Sequence, residues 1–229
     1  MGHETFSPSC YLQESVLRLG SNLSLLEHWA ASNWQYLDEH DLDLGSSDPL
    51  LLPDGLVFQS GKAGVGYLLS AASLGGTGTG PLYQAQVCGL TDVSDGGAVY
   101  YAGVIYVACS DGLRALKLDA SSRTFSALPG WKPIPDAIGP PIIAGGLVWV
   151  TGWRTATLYG LGLQTGQAVV TEPTPSMDHF ATPSASDGEL FLATGQTVDA
   201  YTIVNPASTG IRRSLGDRRG EDRILPAHR

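Results

Sequence analysis

The stretch PIIAGGLVWVTG, residues 141–152, has three near-copies in the chain: PLLLPDGLVFQSG from Pro49, AVYYAGVIYVACSDG from Ala98 and PSASDGELFLATG from Pro183. Their central glycines, Gly55, Gly103, Gly146 and Gly188, stand 48, 43 and 42 residues apart. After each glycine apolar residues alternate: Val57, then Ile105 with Val107, Val148 with Val150, and Leu190 with Leu192. Alternation of period two on either side of a glycine turn reads as a β-hairpin. A hairpin that recurs at this spacing is one supersecondary unit repeated along the chain, and that constrains the fold more than any other feature.

The second half of the unit repeats as well, in YLLSAASLGG from Tyr67, LRALKLDASSRT from Leu113, TLYGLGLQTGQ from Thr157 and VDAYTIVNPASTG from Val198. A fifth copy, SVLRLGSNLS, starts at Ser15. A further strand such as PLYQAQVC or QAVVTEP completes a four-stranded meander, a to d. A lone meander leaves both apolar faces wet, so such units are stable only when each covers its neighbours. The expected architecture is therefore an all-β propeller of four-stranded antiparallel blades. A sandwich gives no reason for the same hairpin to recur, and a β-helix needs a much shorter period.

The strand count gives about four blades. Residues 15–37 supply strands c and d of a first blade, and residues 46–88, 95–131 and 139–175 form three nearly complete ones. Residues 180–204 supply strands a to c of a last blade, between an N-terminal segment at 1–14 and a disordered Arg-rich tail at 205–229. The ring is expected to be incomplete, the chain being the C-terminal part of a longer propeller. The alternative is a four-bladed ring closed by pairing the N-terminal strand with the last blade. The Gly-rich GTGTGP, residues 76–81, reads as a turn.

Composition narrows the partners. With 29 Gly, 14 Pro and only 15% charged residues the chain suits short strands and turns better than helices. A net charge of −9 with 13 Lys and Arg disfavours a phosphate-backbone binder, so no nucleic-acid partner is expected. Six of those basic residues, Arg212, Arg213, Arg218, Arg219, Arg223 and Arg229, follow residue 210; the body carries −12 and the tail +3. Such a tail reads as a solvated end without a core of its own. No apolar run reaches the roughly 20 residues of a membrane span. The N-terminal MGHETFSPSC has neither the basic region nor the apolar segment of a signal peptide. The expected partner is an unidentified small molecule or protein, with self-association through open blade edges.

The blade endings LRALKLDASSRT and TLYGLGLQTGQ, with Gly66 to Gly76 as a third version, resemble the repeats of the pyrroloquinoline-quinone-like (PQQ-like) β-propeller proteins, the quinoprotein dehydrogenase-like superfamily. The stretch DLDLGSSDPLLLPDGLVFQSGKAGVGYLL is similar to bacterial, often secreted, members. The resemblance spans residues 12–204 and implies a quinoprotein-like scaffold for ligand or protein binding. Its alternative is part of a PQQ-dependent alcohol or sugar dehydrogenase, with PQQ and Ca²⁺ as cofactors. It also implies an extracellular or periplasmic parent protein. The family's enzymes carry a catalytic Asp, a disulfide of adjacent cysteines and a tryptophan-docking signature. Here Cys10, Cys88 and Cys109 are far apart and the five tryptophans are unevenly placed, so the non-catalytic reading leads and no catalytic residue is assigned.

Strands of a blade alternate in direction, so the d-to-a connections and the b-to-c turns emerge on one face, the expected binding mouth. The connections are residues 36–46, 89–97, 132–140 and 176–180; the turns are GKAG, SDG, GWRT and GQT. The candidate ligand-binding residues there are His40, Asp41, Asp43, Lys62, Arg154, Asp178 and His179. Asp38, Glu39, His40, Asp41 and Asp43 offer hard oxygen ligands of the kind Ca²⁺ takes, or else a solvated acidic loop in which Asp41 and Asp43 cap a turn. No metal ligand is assigned. His40 and His179 hold equivalent positions before strand a of two blades, and a joint acid–base role needs them within a few ångströms. Cys88 closes a strand d and Cys109 the following strand b, on the same face. With the secreted relatives this leads to an expected Cys88–Cys109 disulfide, two reduced buried thiols being the alternative.

Overall fold

Each repeated glycine sits in a turn in which two consecutive residues have positive φ: Asp54 and Gly55, Ala102 and Gly103, Gly145 and Gly146, Asp187 and Gly188. In the last three the loop is those two residues alone. That is the type I′ hairpin turn, whose twist matches that of the flanking strands and which a glycine without Cβ accommodates best. In the first, Pro53 adds one residue to the loop. The period of the sequence is thus the period of an obligatory turn.

The computed structural model describes residues 12–89 and 96–203, and the backbone of residues 211–214. The chain opens with a hairpin of β1 (Ser15–Leu19) and β2 (Leu25–Ala30), followed by the short helix α1 (Trp34–Glu39). The second blade holds β3 (Leu50–Leu52), β4 (Leu56–Gln59), β5 (Val65–Ser70) and, after the two-residue strand β6 (Gly76–Thr77), β7 (Tyr83–Gln86). The third comprises β8 (Val99–Tyr101), β9 (Val104–Val107), β10 (Arg114–Asp119) and β11 (Thr124–Ala127). The fourth comprises β12 (Ile142–Ala144), β13 (Leu147–Gly152), β14 (Thr157–Gly162) and β15 (Ala168–Pro173). The fifth comprises β16 (Ser184–Ser186), β17 (Glu189–Thr194), β18 (Thr197–Ile203) and β19 (Ile211–Ser214).

Four hydrophobic clusters join these blades in sequence, and the alternation in the b strands assigns each side chain to one of them. Val57 of β4 joins Val16, Trp29 and Tyr67 between the first and second blades. Leu56 and Phe58 face the other way and meet Ile105 and Val107 of β9. Val104 and Tyr106 meet Val148 and Val150 of β13, and Leu147 and Trp149 meet Leu190 and Leu192 of β17. The residues two and four places after each glycine therefore look back to the preceding blade, and their neighbours look forward. Burying a branched aliphatic side chain contributes about 1.5–3 kcal/mol, so ring-wise stacking is what stabilises each blade. Among the described residues no cluster links the fifth blade to the first. The molecule is an open arc of a β-propeller.

Two expectations are corrected. The last blade does not stop at three strands: residues 211–214 pair antiparallel with β18 as its strand d, inside the stretch read as a disordered tail. An outermost strand needs only its backbone hydrogen bonds and tolerates charge on its edge, which is why IRRS carried no visible signal. The alternative of a ring closed by the N-terminal strand falls with it, because residues 211–214 take the place of strand d in the last blade while β1 pairs with β2. Gly76 and Thr77 are not only a turn; they pair in parallel with Trp29 and Ala30 and cover the outer edge of β2. The other residues of the expected tail, and residues 1–11 with Cys10, lie outside the described residues.

Candidate functional site

The d-to-a connections do lie on the b-to-c turns, at the same end of each blade. The Lys62 N–H donates to the Asp43 carbonyl, those of Ile138 and Gly139 donate to Thr151 O, and the Thr151 hydroxyl donates to Ala181 O. Of the connection 89–97, residues 90–95 are outside the described residues.

The best-defined part of this face is at the second blade. Leu37 of α1 is buried in the core between the first two blades, which fixes the loop that follows. Lys62 Nζ lies 3.0 Å from Asp41 Oδ1 and 2.5 Å from Asp43 Oδ2. The hydrogen bonds that Lys62 donates to Asp43 and then to Asp41 hold its ammonium above its ordinary pKa, and the same contact holds the Asp41 carboxyl below its own. Beneath this triad Gln59 Nε2 donates to Leu44 O and Ser60 O, and Ser47 Oγ donates to Ser60 O. Gln59 Oε1 is shielded and has no hydrogen-bond partner among the described residues.

Glu14, 4% exposed, accepts a 2.5 Å hydrogen bond from the Leu44 N–H through Oε2. Burial pushes its carboxyl above the usual value, against the lowering effect of that hydrogen bond, with the Asp43 and Asp38 charges adding to the rise. Glu14, Gln13, Asp43, Ser46 and Lys62 line an open depression of about 520 Å³, which Phe180 of the connection into the fifth blade also borders. Phe180 has φ 68°, a left-handed conformation rare for an aromatic residue, and stays half exposed. Its ring stacks on His179 at 4.0 Å, and His179 meets Trp153 at 4.8 Å. Arg154 lies 5.2 Å from the Trp153 ring and donates to Ser110 O.

Of the residues singled out in the sequence, Asp41, Asp43 and Lys62 converge. His179 and Arg154 share Trp153. His40 is engaged elsewhere: it stacks on Tyr36 at 4.0 Å and its Nδ1 lies 2.9 Å from Tyr36 O at the end of α1. Asp178 is exposed, and its carbonyl accepts the Ala181 N–H. Glu14 and Phe180 were not anticipated. A single Glu before a strand has no local signature, and the only hint of Phe180 was an apolar ring within the mouth loop SMDHF.

The Ca²⁺ that the resemblance to quinoproteins implies does not fit these residues. The two converging carboxylates already share the Lys62 ammonium, and among the described residues no three His, Cys, Asp or Glu side chains converge to hold a metal ion. Cys88 and Cys109 are joined in a disulfide, Cα atoms 5.5 Å apart, within the core between the second and third blades.

No protein-family description matches the chain, and no curated protein matches it in sequence. Solved structures similar to it are β-propellers. BamB from Moraxella catarrhalis has a TM-score of 0.52 at 16% identity, over 72% of this chain and 48% of that one. The computationally designed Ika4 protein has 0.52 at 12%, over 69% and 92%. The Cps50 (Swd1) β-propeller domain from Myceliophteria thermophila has 0.52 at 8%, over 66% and 51%. The chain thus spans about half the length of BamB, and at these identities the likeness is one of fold.

Proposed function

We propose that this chain is a non-catalytic, quinoprotein-like propeller scaffold whose mouth binds a small molecule or protein segment that presents a cationic group. The observation that carries the reading is the depression at the second blade. Glu14 and Asp43 outnumber the single ammonium of Lys62 there, Asp41 adds a third carboxylate on the same ammonium, and the half-exposed Phe180 ring borders the site as a stacking or cation–π surface. Concave sites of this size with a few convergent polar groups and an aromatic wall are the usual form of binding pockets. The blade-ending repeats support the quinoprotein-like part of the reading. The Cys88–Cys109 bridge supports an oxidising compartment, extracellular or periplasmic.

Calorimetric titration with a lysine-rich dodecapeptide tests the site. Saturable binding that weakens with salt and is lost in Asp43→Asn is expected; equal binding by Asp43→Asn overturns the assignment. Adding PQQ, Ca²⁺, an alcohol and an electron acceptor tests the non-catalytic part. Alcohol-dependent reduction of the acceptor contradicts it.

A further inference from the structure

Pairing with β2 uses only the first two residues of the GTGTGP motif, Gly76 and Thr77. The other four, residues 78–81, line a partly enclosed cavity of about 240 Å³ between the first and second blades. Two bonds to the first blade fix this wall: Trp29 Nε1 donates to Thr79 O at 2.8 Å, and the Gly78 N–H donates to Ala30 O at 3.0 Å. Gly80 has neither a positive φ nor an atom within 4 Å of where a Cβ would stand. Neither its backbone nor its packing therefore calls for glycine, and a side chain there would take up open space at the cavity wall.

The opposite wall carries a buried hydroxyl with nothing to bond. Tyr67 of β5 lines the cavity although it is only 4% exposed, and its hydroxyl makes no hydrogen bond among the described residues. Burial alone pushes its phenol above the usual pKa. A buried Tyr hydroxyl normally finds a partner, so an unbonded one facing a cavity points to a ligand. Gln84 of β7 is the cross-strand partner of Tyr67, which puts its amide on the same face of the sheet. Asn33 stands before α1 without capping it, and neither its amide nor that of Gln84 bonds another described residue. The Ser32 hydroxyl lines the same space.

These groups select one ligand chemistry. Among the described residues no charged side chain lines the cavity, so an ion held there would lack a counter-charge. A planar amide would use one donor and one acceptor, whereas two hydroxyls and two amides surround this volume. Hydroxyls on successive carbons of a ring, each able to donate and to accept, match that mixture. The volume holds about eight water molecules, the bulk of a single such ring. We propose that this cavity binds a neutral cyclic polyol, a pyranose or a cyclitol, whose neighbouring hydroxyls bond the Tyr67 hydroxyl and the amides of Asn33 and Gln84. The cavity shares no lining residue with the depression at the mouth, so this inference does not depend on the ligand proposed there.

Ligand-observed NMR titration of the whole chain with D-glucose, D-galactose, D-mannose and myo-inositol in turn tests the site. Saturable binding of at least one is expected; which one binds separates a pyranose from a cyclitol. Tyr67→Phe and Gln84→Leu should each weaken it about 5-fold or more, the worth of one hydrogen bond. Tyr67→Phe removes a hydroxyl that nothing in the protein bonds, so its melting temperature should equal or exceed that of the parent chain. No saturable binding of any of the four, or equal binding by either variant, overturns the proposal. So does a lower melting temperature for Tyr67→Phe, because the hydroxyl would then be satisfied within the protein itself.

Discussion

Leu51 and Ile143 hold the same register position in two blades, yet Leu51 is 76% exposed and Ile143 packs into a cluster with Val148, Val150 and Leu161. Their strands are alike in sequence and length. What differs is the neighbour: β8 and β9 cover Ile143, and β1 and β2 leave Leu51 bare. Burial in this fold is therefore a property of blade pairs, and a mutation should cost what its interface contains, whatever the residue type. The same logic places the largest effects in the middle of the arc.

Trp149→Ala, which empties a fully buried site against Leu190 and Leu192, is expected to cost about 3–5 kcal/mol in urea denaturation. Leu51→Ala in the same assay should change stability by no more than about 0.5 kcal/mol. Equal losses would break the comparison. Next comes Cys109→Ser, which removes the covalent tie between the second and third blades; a loss of roughly 3 kcal/mol is expected for a loop of this size. Ile143→Asp should then cost about 2 kcal/mol by placing a charge in an apolar interface, while Leu51→Asp stays near zero.

The mouth supplies the small effects. Glu14 has its carboxyl raised by burial, so between its ordinary value of 4.5 and the raised folded value the native state binds more protons, and stability falls as pH rises. Glu14→Gln keeps an acceptor for the Leu44 N–H and removes the charge. Its melting temperature should rise by roughly 2 °C at pH 7, with no gain below pH 4.5. A gain that persists in acid would mean that the buried charge is not the cause. Lys62→Ala should lower the melting temperature by about 1 °C, and added salt should shrink that loss, because the Asp41 contact is open to solvent.

The inner strands were legible in the sequence because both faces of β4, β9 and β13 are buried and their turns demand glycine. Alternation and a fixed spacing then carry the fold. Other elements carry no such burden. The outer strand at residues 211–214 has two arginines in four residues, and β6 is two residues in a Gly-rich turn paired in parallel with a strand nearly fifty residues away. The helix α1 has one buried residue, Leu37, in six, too few for a helical period. At the mouth, residue types picked out Asp41, Asp43 and Lys62 in the sequence. Which acid meets the ammonium, and the approach of Glu14 and Phe180 from distant segments, depends on how the blades stack. His40 shows the limit of reading by equivalence: its position matches that of His179, but the intervening helix turns it onto Tyr36.

Amide hydrogen exchange, resolved strand by strand in the free chain, tests the stacking most directly. Slow exchange is expected across β9 and β13, which have a complete blade on each side, and faster exchange along β1, which among the described residues has a pairing strand, β2, on one side. Protection of β1 equal to that of β13, or rapid exchange in β9 and β13, would contradict an open arc of radially stacked blades.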